Sequence, residues 1–182
     1  MVEDNGSNWI VNGALIALAG SAAVVTGFAL YARRKFKPRV HWNNPKTLDG
    51  LTIVVTGGNS GIGAATVTDL ARRNANVIIA SRTADSSNEL INEIKKKYPN
   101  ASVSFGHLDL ASLDSVKDFV DELSVSNVDM LVNNAGLWGS PIPTCPDGVE
   151  TTFGVNYLGP FYLTKLLLQK YSVQRVINVS SG

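Results

Sequence analysis

The sequence predicts an α/β domain built on a doubly wound parallel sheet, preceded by one transmembrane helix. Three observations support this. From Leu51 onward, short apolar runs alternate with segments of helical periodicity, which is typical of βαβ units. The apolar runs are continuous rather than alternating with polar residues, as in strands that helices cover on both faces. Residues 9–31 form an uncharged apolar segment long enough to span a bilayer.

The N-terminal apolar segment, residues 9–31, has Trp9 and Tyr31 at its ends, where interfacial aromatic residues belong. Five basic residues follow it at positions 33–39, whereas residues 1–8 include Glu3 and Asp4 and no lysine or arginine. The positive-inside rule therefore predicts a non-cytosolic N-terminus at 1–8 and a cytosolic C-terminal side. The alternatives are a cleaved signal peptide, which the acidic start disfavours, and a buried core helix, which would show polar residues at helical spacing.

Residues 32–49 are predicted to be a basic linker, because Pro38, Pro45 and the Asn43-Asn44 pair interrupt regular structure. The net charge of +1 gives no support for nucleic-acid binding. Cys145 is the single cysteine, so neither an internal disulfide nor a Cys/His metal site is expected.

The domain at 50–182 contains five predicted strands, at 51–56, 76–80, 102–107, 128–132 and 175–179. They suit the sheet order 3-2-1-4-5. A complete dinucleotide-binding sheet has a sixth strand, so we expect a C-terminally truncated domain. The first helix is predicted at 64–73. The second is predicted at 89–98, with Ser86 and Glu89 at capping-box spacing.

Ser112 is the predicted N-cap of a third helix, whose apolar residues repeat at helical spacing. The fourth and longest helix, about 148–171, contains Gly159-Pro160, where we expect a kink or a break. Burial on the sheet accounts for one apolar face of this helix, and its remaining apolar residues are compatible either with further core packing or with a homodimer through this helix.

A glycine-rich loop, TGGNSGIG, joins the first strand to the first helix at residues 56–63. Gly57 permits a tight turn, Gly61 allows close approach of a pyrophosphate, and Gly63 allows the helix to pack on the strand. The helix N-terminus would then face the phosphates. A purely structural turn is the alternative, but the strand–loop–helix context favours a Rossmann-like cofactor site.

The end of the second strand, Ser81-Arg82, indicates the type of cofactor. NAD enzymes usually place an acidic residue here to bind the ribose hydroxyls, and Ser81 carries no charge. The guanidinium of Arg82 suits a 2′-phosphate. The sequence therefore favours NADP(H) over NAD(H).

The G-x-x-x-G-x-G spacing is similar to that of the short-chain dehydrogenase/reductase family. Asn133-Asn134-Ala135-Gly136 matches the family's NNAG motif, and Asn156 in GVNYLG and Ser180-Ser181 in INVSSG match catalytic positions. The resemblance implies that Asn156 and Ser181 are catalytic. It also implies a set of cofactor-binding residues: Gly57, Asn59, Ser60, Gly61, Ile62, Gly63, Arg82, Asp109, Asn134, Ala135 and Gly136.

The family's general acid/base is the tyrosine of a YxxxK motif, whose pKa a lysine and the nicotinamide charge lower. That motif lies about a dozen residues beyond the serine, and here only Gly182 follows Ser181. Tyr31 and Lys35 have the spacing but precede the fold. The resemblance therefore implies a chain with half of the catalytic residues and little or no activity by itself.

The segment DGVETTFGVNYLGPFYLTKLLL resembles membrane-anchored retinol dehydrogenases. This implies a single-pass protein, with the endoplasmic reticulum as the expected membrane, that interconverts a lipophilic alcohol, such as a retinoid or steroid, and its carbonyl. One alternative is a non-catalytic, membrane-tethered module that binds dinucleotide or a partner. An extended-type epimerase ranks lower, because such enzymes use a different glycine spacing.

Overall fold

The structure, a computed structural model, describes residues 46–139 and 141–180. The predicted segments at 1–8 and 9–31, most of the basic linker and Ser181 lie outside these residues. Within the two described ranges, no helix has both the length and the apolar character needed to cross a bilayer.

Five parallel strands form one sheet in the order β3-β2-β1-β4-β5. The predicted topology is therefore confirmed. The register places Ile53 of β1 between Val77 of β2 and Met130 of β4. The strands are β1 Thr52–Thr56, β2 Asn76–Ser81, β3 Ser102–His107, β4 Met130–Asn133 and β5 Arg175–Asn178.

The helices are α1 Gly61–Arg72, α2 Ala84–Lys97, α3 Leu113–Glu122, α4 Thr151–Phe153 and α5 Gly159–Lys170, with a π-helix, Gly154–Leu158, between α4 and α5. Ser112 is the N-cap of α3, as predicted, and its side chain accepts a hydrogen bond from Ser115 N. The prediction of a capping box at Ser86 and Glu89 is wrong. The N-cap of α2 is Thr83, because the helix already begins at Ala84.

The core lies in two layers, one on each face of the sheet, because successive strand side chains point to opposite faces. Val54, Ile78 and Leu131 pack in the layer that α3 and α5 cover. Ile53 and Val77 pack in the layer that α1 and α2 cover. This two-sided burial explains why β1 reads as a continuous apolar run, and all five of its residues are buried.

The kink or break expected at Gly159-Pro160 takes the form of the π-helix just before it. The N–H of Gly159 donates to the carbonyl of Gly154, five residues back, so the chain stays helical. Pro160 lies in the first turn of α5, where its missing N–H costs least. A Cβ on Gly159 would lie 2.3 Å from the carbonyl oxygen of Leu110, so only glycine allows this close packing.

Candidate functional site

A cleft of about 450 Å³ opens at the carboxyl ends of the central strands. In doubly wound sheets this edge is where ligands bind. Every residue that the sequence predicted to bind cofactor lines the cleft: Gly57, Asn59, Ser60, Gly61, Ile62, Gly63, Arg82, Asp109, Asn134, Ala135 and Gly136. The sheet thus brings together residues separated by up to 79 positions along the chain.

Three of the four glycines of the loop occupy positions where a side chain would be strained or would clash. Gly57 turns with φ +62°, and Gly61 has φ +52° with open space where a Cβ would lie. A Cβ on Gly63 would lie 2.1 Å from the carbonyl oxygen of Gly57, which is a severe clash. The loop therefore leaves space at Gly61 and closes tightly at Gly63.

The N-terminus of α1 meets the cleft without a competing anion. Its N-cap, Ser60, makes no side-chain cap hydrogen bond, and the first turn contains no acidic residue. The partial positive charge of a 12-residue helix is thus directed at the cleft. Together with the space at Gly61, this arrangement fits the pyrophosphate of a dinucleotide.

Thr56, whose role the sequence did not predict, links the end of β1 to the segment after β4 below the loop. Its buried Oγ1 accepts hydrogen bonds from the backbone N–H groups of Asn134 and Ala135, both at 3.0 Å. The amide nitrogen of Asn134 donates back to the carbonyl oxygens of Thr56 at 3.0 Å and Gly57 at 3.2 Å. The side chain of Asn134 therefore fixes the glycine loop in place.

At the end of β2, Ser81 and Arg82 differ in orientation. Ser81 is buried, and its hydroxyl forms a hydrogen bond of 2.8 Å with that of Ser87. Arg82 is exposed on the cleft and makes no ion pair with any residue of 46–139 or 141–180. The end of β2 therefore presents the guanidinium of Arg82, and no carboxylate, at the position where a dinucleotide's adenosine ribose would bind.

Asp109, at the end of β3, is oriented by its own turn. Its Oδ1 accepts from Ala111 N at 2.9 Å, and its backbone N–H donates to Ser115 Oγ at 2.9 Å. The half-buried carboxylate thus stands at a fixed position on the cleft wall.

A second cleft, of about 410 Å³, shares Ala135 with the first and is lined by Asn156 and Ser180. Asn156 lies in the π-helix, and both polar atoms of its side chain bind the backbone of Leu137. Its side chain therefore acts on the loop after β4. Ser181, the second residue predicted to be catalytic, is outside the described residues, directly after Ser180.

Asn133, the first residue of the NNAG motif, also lines the second cleft and was not selected individually from the sequence. Its Nδ2 donates to Asn178 Oδ1 at 2.9 Å and to Thr164 Oγ1 at 3.2 Å. It therefore links β4 to β5 and α5. Its position next to Asn134 was the available signal, since both asparagines belong to the same strand end.

Comparisons with known proteins agree with this geometry. A family model described as short chain dehydrogenase matches residues 51–182. Human retinol dehydrogenase 13 is 44% identical over 140 residues, which cover 74% of this chain and 42% of that protein. Human retinol dehydrogenase 14 is 37% identical over 192 residues, covering 91% of this chain and 57% of that protein. The chain thus spans about half the length of these curated relatives.

Among solved structures, an uncharacterised protein from Mycobacterium paratuberculosis superposes with a TM-score of 0.66 at 40% identity, covering 75% of this chain and 48% of that one. The Pseudomonas aeruginosa RhlG/NADP active-site complex superposes with a TM-score of 0.63 at 28% identity, covering 76% and 57%. The residues that the family model matches include the glycine loop, the NNAG motif and the three strands between them. This chain belongs to the short-chain dehydrogenase family, whose members bind a nicotinamide dinucleotide.

Proposed function

We propose that the protein is an NADP(H)-dependent oxidoreductase that interconverts a lipophilic alcohol and its carbonyl. One observation carries the proposal: a single cleft joins the glycine loop, the open N-terminus of α1, the exposed Arg82 and the fixed Asp109. The substrate class is supported by the names of the human relatives, retinol dehydrogenases 13 and 14.

Different residues of the cleft bind different parts of the dinucleotide. The backbone at Gly61 and the N-terminus of α1 hold the pyrophosphate, because both offer N–H groups without a side chain in the way. Arg82 binds the 2′-phosphate, and Asp109 lies against the adenine end. When bound, the nicotinamide supplies or accepts the hydride of the reaction.

The preference for NADP(H) follows from charge. A 2′-phosphate is a dianion that pairs well with the guanidinium of Arg82, whereas the NAD ribose is usually held by a carboxylate. Ser81 supplies no such carboxylate, and its hydroxyl already bonds to Ser87. The glycine loop gives no preference between the two cofactors, because NAD and NADP both contain the pyrophosphate that it would bind.

On the substrate side, Asn156 positions the loop after β4, and Ser181 is the residue proposed to hold the substrate oxygen. These two residues bind and orient the reactants in the proposed reaction. The alternative role, a membrane-tethered binding module without catalysis, shares the cofactor cleft.

The proposal is tested by the ratio of the dissociation constants of the 182-residue polypeptide for NADPH and NADH, measured by fluorescence titration. Tighter binding of NADPH supports it, and tighter binding of NADH contradicts it. Reduction of retinal by NADPH is measured in parallel. Turnover of retinal would support the proposed substrate class.

The location and assembly of the protein belong to the same proposal. The uncharged segment 9–31 and the basic residues after it support a single-pass anchor with the domain in the cytosol, and the resemblance to retinol dehydrogenases suggests the endoplasmic reticulum as the membrane. A homodimer through the segment 148–171 is supported by its exposed aromatic side chains. The exposed rings of Phe153 and Tyr157 are tilted against each other with centroids 5.0 Å apart, and those of Tyr157 and Phe161 are stacked at 6.3 Å.

A further inference from the structure

A pair of buried serine hydroxyls joins the carboxyl end of β2 to the start of α2. Ser81 and Ser87 are 6% and 0% exposed, and their Oγ atoms are 2.8 Å apart. The hydroxyl of Ser87 donates to the carbonyl oxygen of Thr83, also at 2.8 Å. Because a hydroxyl has one proton, Ser81 is the donor within the pair. Two hydrogen bonds therefore run in series from Ser81 through Ser87 to Thr83.

These two bonds hold the backbone on both sides of Arg82. Ser81 and Thr83 flank Arg82 in sequence, and both are bonded to Ser87. Ser81 is also fixed on the sheet, since its carbonyl oxygen accepts from Leu108 N at 3.0 Å. In the part of the chain that the structure describes, no carboxylate pairs with Arg82. The turn at 81–83 therefore determines where the guanidinium lies on the cleft wall.

A serine that bonds to the carbonyl four residues back is common in helices and by itself indicates no function. Ser87 differs, because its fully buried hydroxyl also accepts a bond from another element. Without that hydroxyl, the buried hydroxyl of Ser81 can still donate to the carbonyl oxygen of Thr83, 3.4 Å away. This distance is longer than an ordinary O–H···O bond. Since a poorly satisfied buried donor costs free energy, the turn is expected to shift and to move Arg82 with it.

The preceding residue of α2, Ser86, contacts a different part of the cleft wall. Its Oγ accepts a hydrogen bond of 2.9 Å from Nδ2 of Asn59 in the glycine loop. Consecutive serines of one helix are therefore bonded to the loop proposed to bind the pyrophosphate and to the turn that contains Arg82. Both NAD and NADP contain the pyrophosphate, whereas only NADP contains the 2′-phosphate. The two serines are thus expected to affect cofactor binding differently.

We propose that Ser87 is a positioning residue for cofactor specificity, which holds the turn at 81–83 so that Arg82 reaches the 2′-phosphate of NADP(H). The inference rests on the proposed function, in which Arg82 binds that phosphate. Ser87 is fully buried and is not among the residues that line the cleft. Its effect therefore passes through Arg82 and is confined to NADP(H), because NAD(H) has no phosphate at this position.

The dissociation constants of the full chain for NADPH and NADH test this role. Ser87→Ala should weaken NADPH binding about 3- to 10-fold, the net contribution of one hydrogen bond, and leave NADH binding nearly unchanged. Ser86→Ala should keep the ratio of the two affinities at its wild-type value. Ser102→Ala is the matched control, because it removes a hydroxyl bonded to Asn76 at the amino end of β2 and should change neither affinity. Circular dichroism confirms that each variant is folded.

A double-mutant cycle separates positioning of Arg82 from a general loss of stability. In the Arg82→Ala background, Ser87→Ala should have no further effect on NADPH affinity, since the guanidinium is already absent. A full effect in that background overturns the proposal, as does equal weakening of NADPH and NADH binding. A change of the ratio in Ser86→Ala as large as that in Ser87→Ala also overturns it.

If Ser87→Ala does not fold, Ser81→Ala tests the same two bonds from the other end. It should lower the preference for NADPH by a smaller factor, because the bond from Ser87 to Thr83 remains, and an unchanged preference overturns the proposal. A wild type that prefers NADPH, and that loses this preference in Arg82→Ala but not in Ser87→Ala, keeps the proposed function and removes Ser87 from it. A wild type that binds NADH more tightly overturns both.

Discussion

The side-chain amide of Asn156 makes two hydrogen bonds to one residue, Leu137: its Oδ1 accepts from Leu137 N, and its Nδ2 donates to Leu137 O, both at 2.9 Å. The amide thus pairs with the backbone of Leu137 through one donor and one acceptor, as a neighbouring β-strand would. It links the π-helix to the loop after β4. Only an amide side chain has a donor and an acceptor at this spacing. Asn156 therefore connects the two clefts, since Leu137 lines the first and Asn156 the second.

Asn156→Ala is expected to lose about 1–3 kcal/mol of unfolding free energy, because each of the two hydrogen bonds contributes about 0.5–1.5 kcal/mol. Asn156→Asp keeps the acceptor but sets a carboxylate oxygen against the carbonyl oxygen of Leu137, so it should not restore the stability of the wild type. Urea unfolding followed by circular dichroism measures both. Equal stability of Asn156→Ala and the wild type would show that the pairing with Leu137 does not stabilise the domain.

Gly63→Ala is expected to destabilise the domain by about 3 kcal/mol or more, because its Cβ would lie 2.1 Å from the carbonyl oxygen of Gly57. Gly61→Ala is the matched control. Its Cβ meets no atom within 4 Å, so its cost is the left-handed backbone alone, about 1–2 kcal/mol. Thermal unfolding ranks the two variants. The opposite ranking would mean that the loop closes differently.

The same pair separates stability from binding. Gly61 faces the open cleft, so its new methyl group occupies the space assigned to the pyrophosphate, and NADPH affinity should fall although the domain remains folded. If Gly61→Ala binds NADPH as well as the wild type does, the pyrophosphate lies elsewhere.

Arg82→Ala is expected to weaken NADPH binding about 10- to 100-fold, because a charge-assisted hydrogen bond contributes about 1.5–3 kcal/mol. NADH affinity should stay nearly constant, since NADH has no 2′-phosphate. Arg72→Ala is the matched control, because Arg72 lies on α1 with its guanidinium 2.7 Å from Asp69. Isothermal titration calorimetry with both cofactors measures the effect. A parallel loss for NADPH and NADH would remove Arg82 from the specificity site.

Glu150 stabilises the N-terminus of the helical segment that contains Asn156, and this stabilisation depends on pH. Hydrogen bonds from the backbone N–H groups of Thr152 and then Phe153 lower the pKa of Glu150 below its ordinary value. A lowered pKa in the folded state means that the stabilisation is present above the unfolded pKa of about 4.3 and is lost as pH falls through the folded pKa.

Glu150→Gln should therefore lower the melting temperature near neutral pH, and the difference from the wild type should shrink as the pH falls below about 4. Melting curves across the acid range measure this. Glu150→Asp should restore part of the neutral-pH stability, because aspartate also caps helices. A difference that grows on acidification would contradict the assigned sign.

The sheet could be predicted from the sequence because its signal is local. Continuous apolar runs mark each buried strand, and right-handed βαβ connections restrict the order in which strands lie. The start of α2 could not be predicted from the sequence, because Ser86 and Glu89 have the spacing of a capping box although Thr83 is the N-cap. Sequence spacing alone does not distinguish between two neighbouring polar residues that can both begin a helix.

The wall of the cofactor cleft was predictable for a similar reason, since the strand ends must meet at one edge of a parallel sheet. The contacts between those ends were not. That Thr56 binds two backbone N–H groups after β4, or that Asn156 pairs with Leu137, depends on side-chain geometry across 78 and 19 residues. The π-helix was likewise beyond the sequence, where Gly159-Pro160 indicated only an irregular helix.

The central claim is that one cleft at the carboxyl edge of the sheet holds the nicotinamide dinucleotide. Hydrogen–deuterium exchange of the polypeptide with and without NADPH tests it most directly, because backbone N–H groups of the glycine loop are proposed to bind the pyrophosphate. We predict slower exchange confined to residues 57, 59–63, 80–83, 108–110 and 134–137, which line the cleft. Unchanged exchange at 57–63 under saturating NADPH, or protection confined to another face of the domain, would contradict the account.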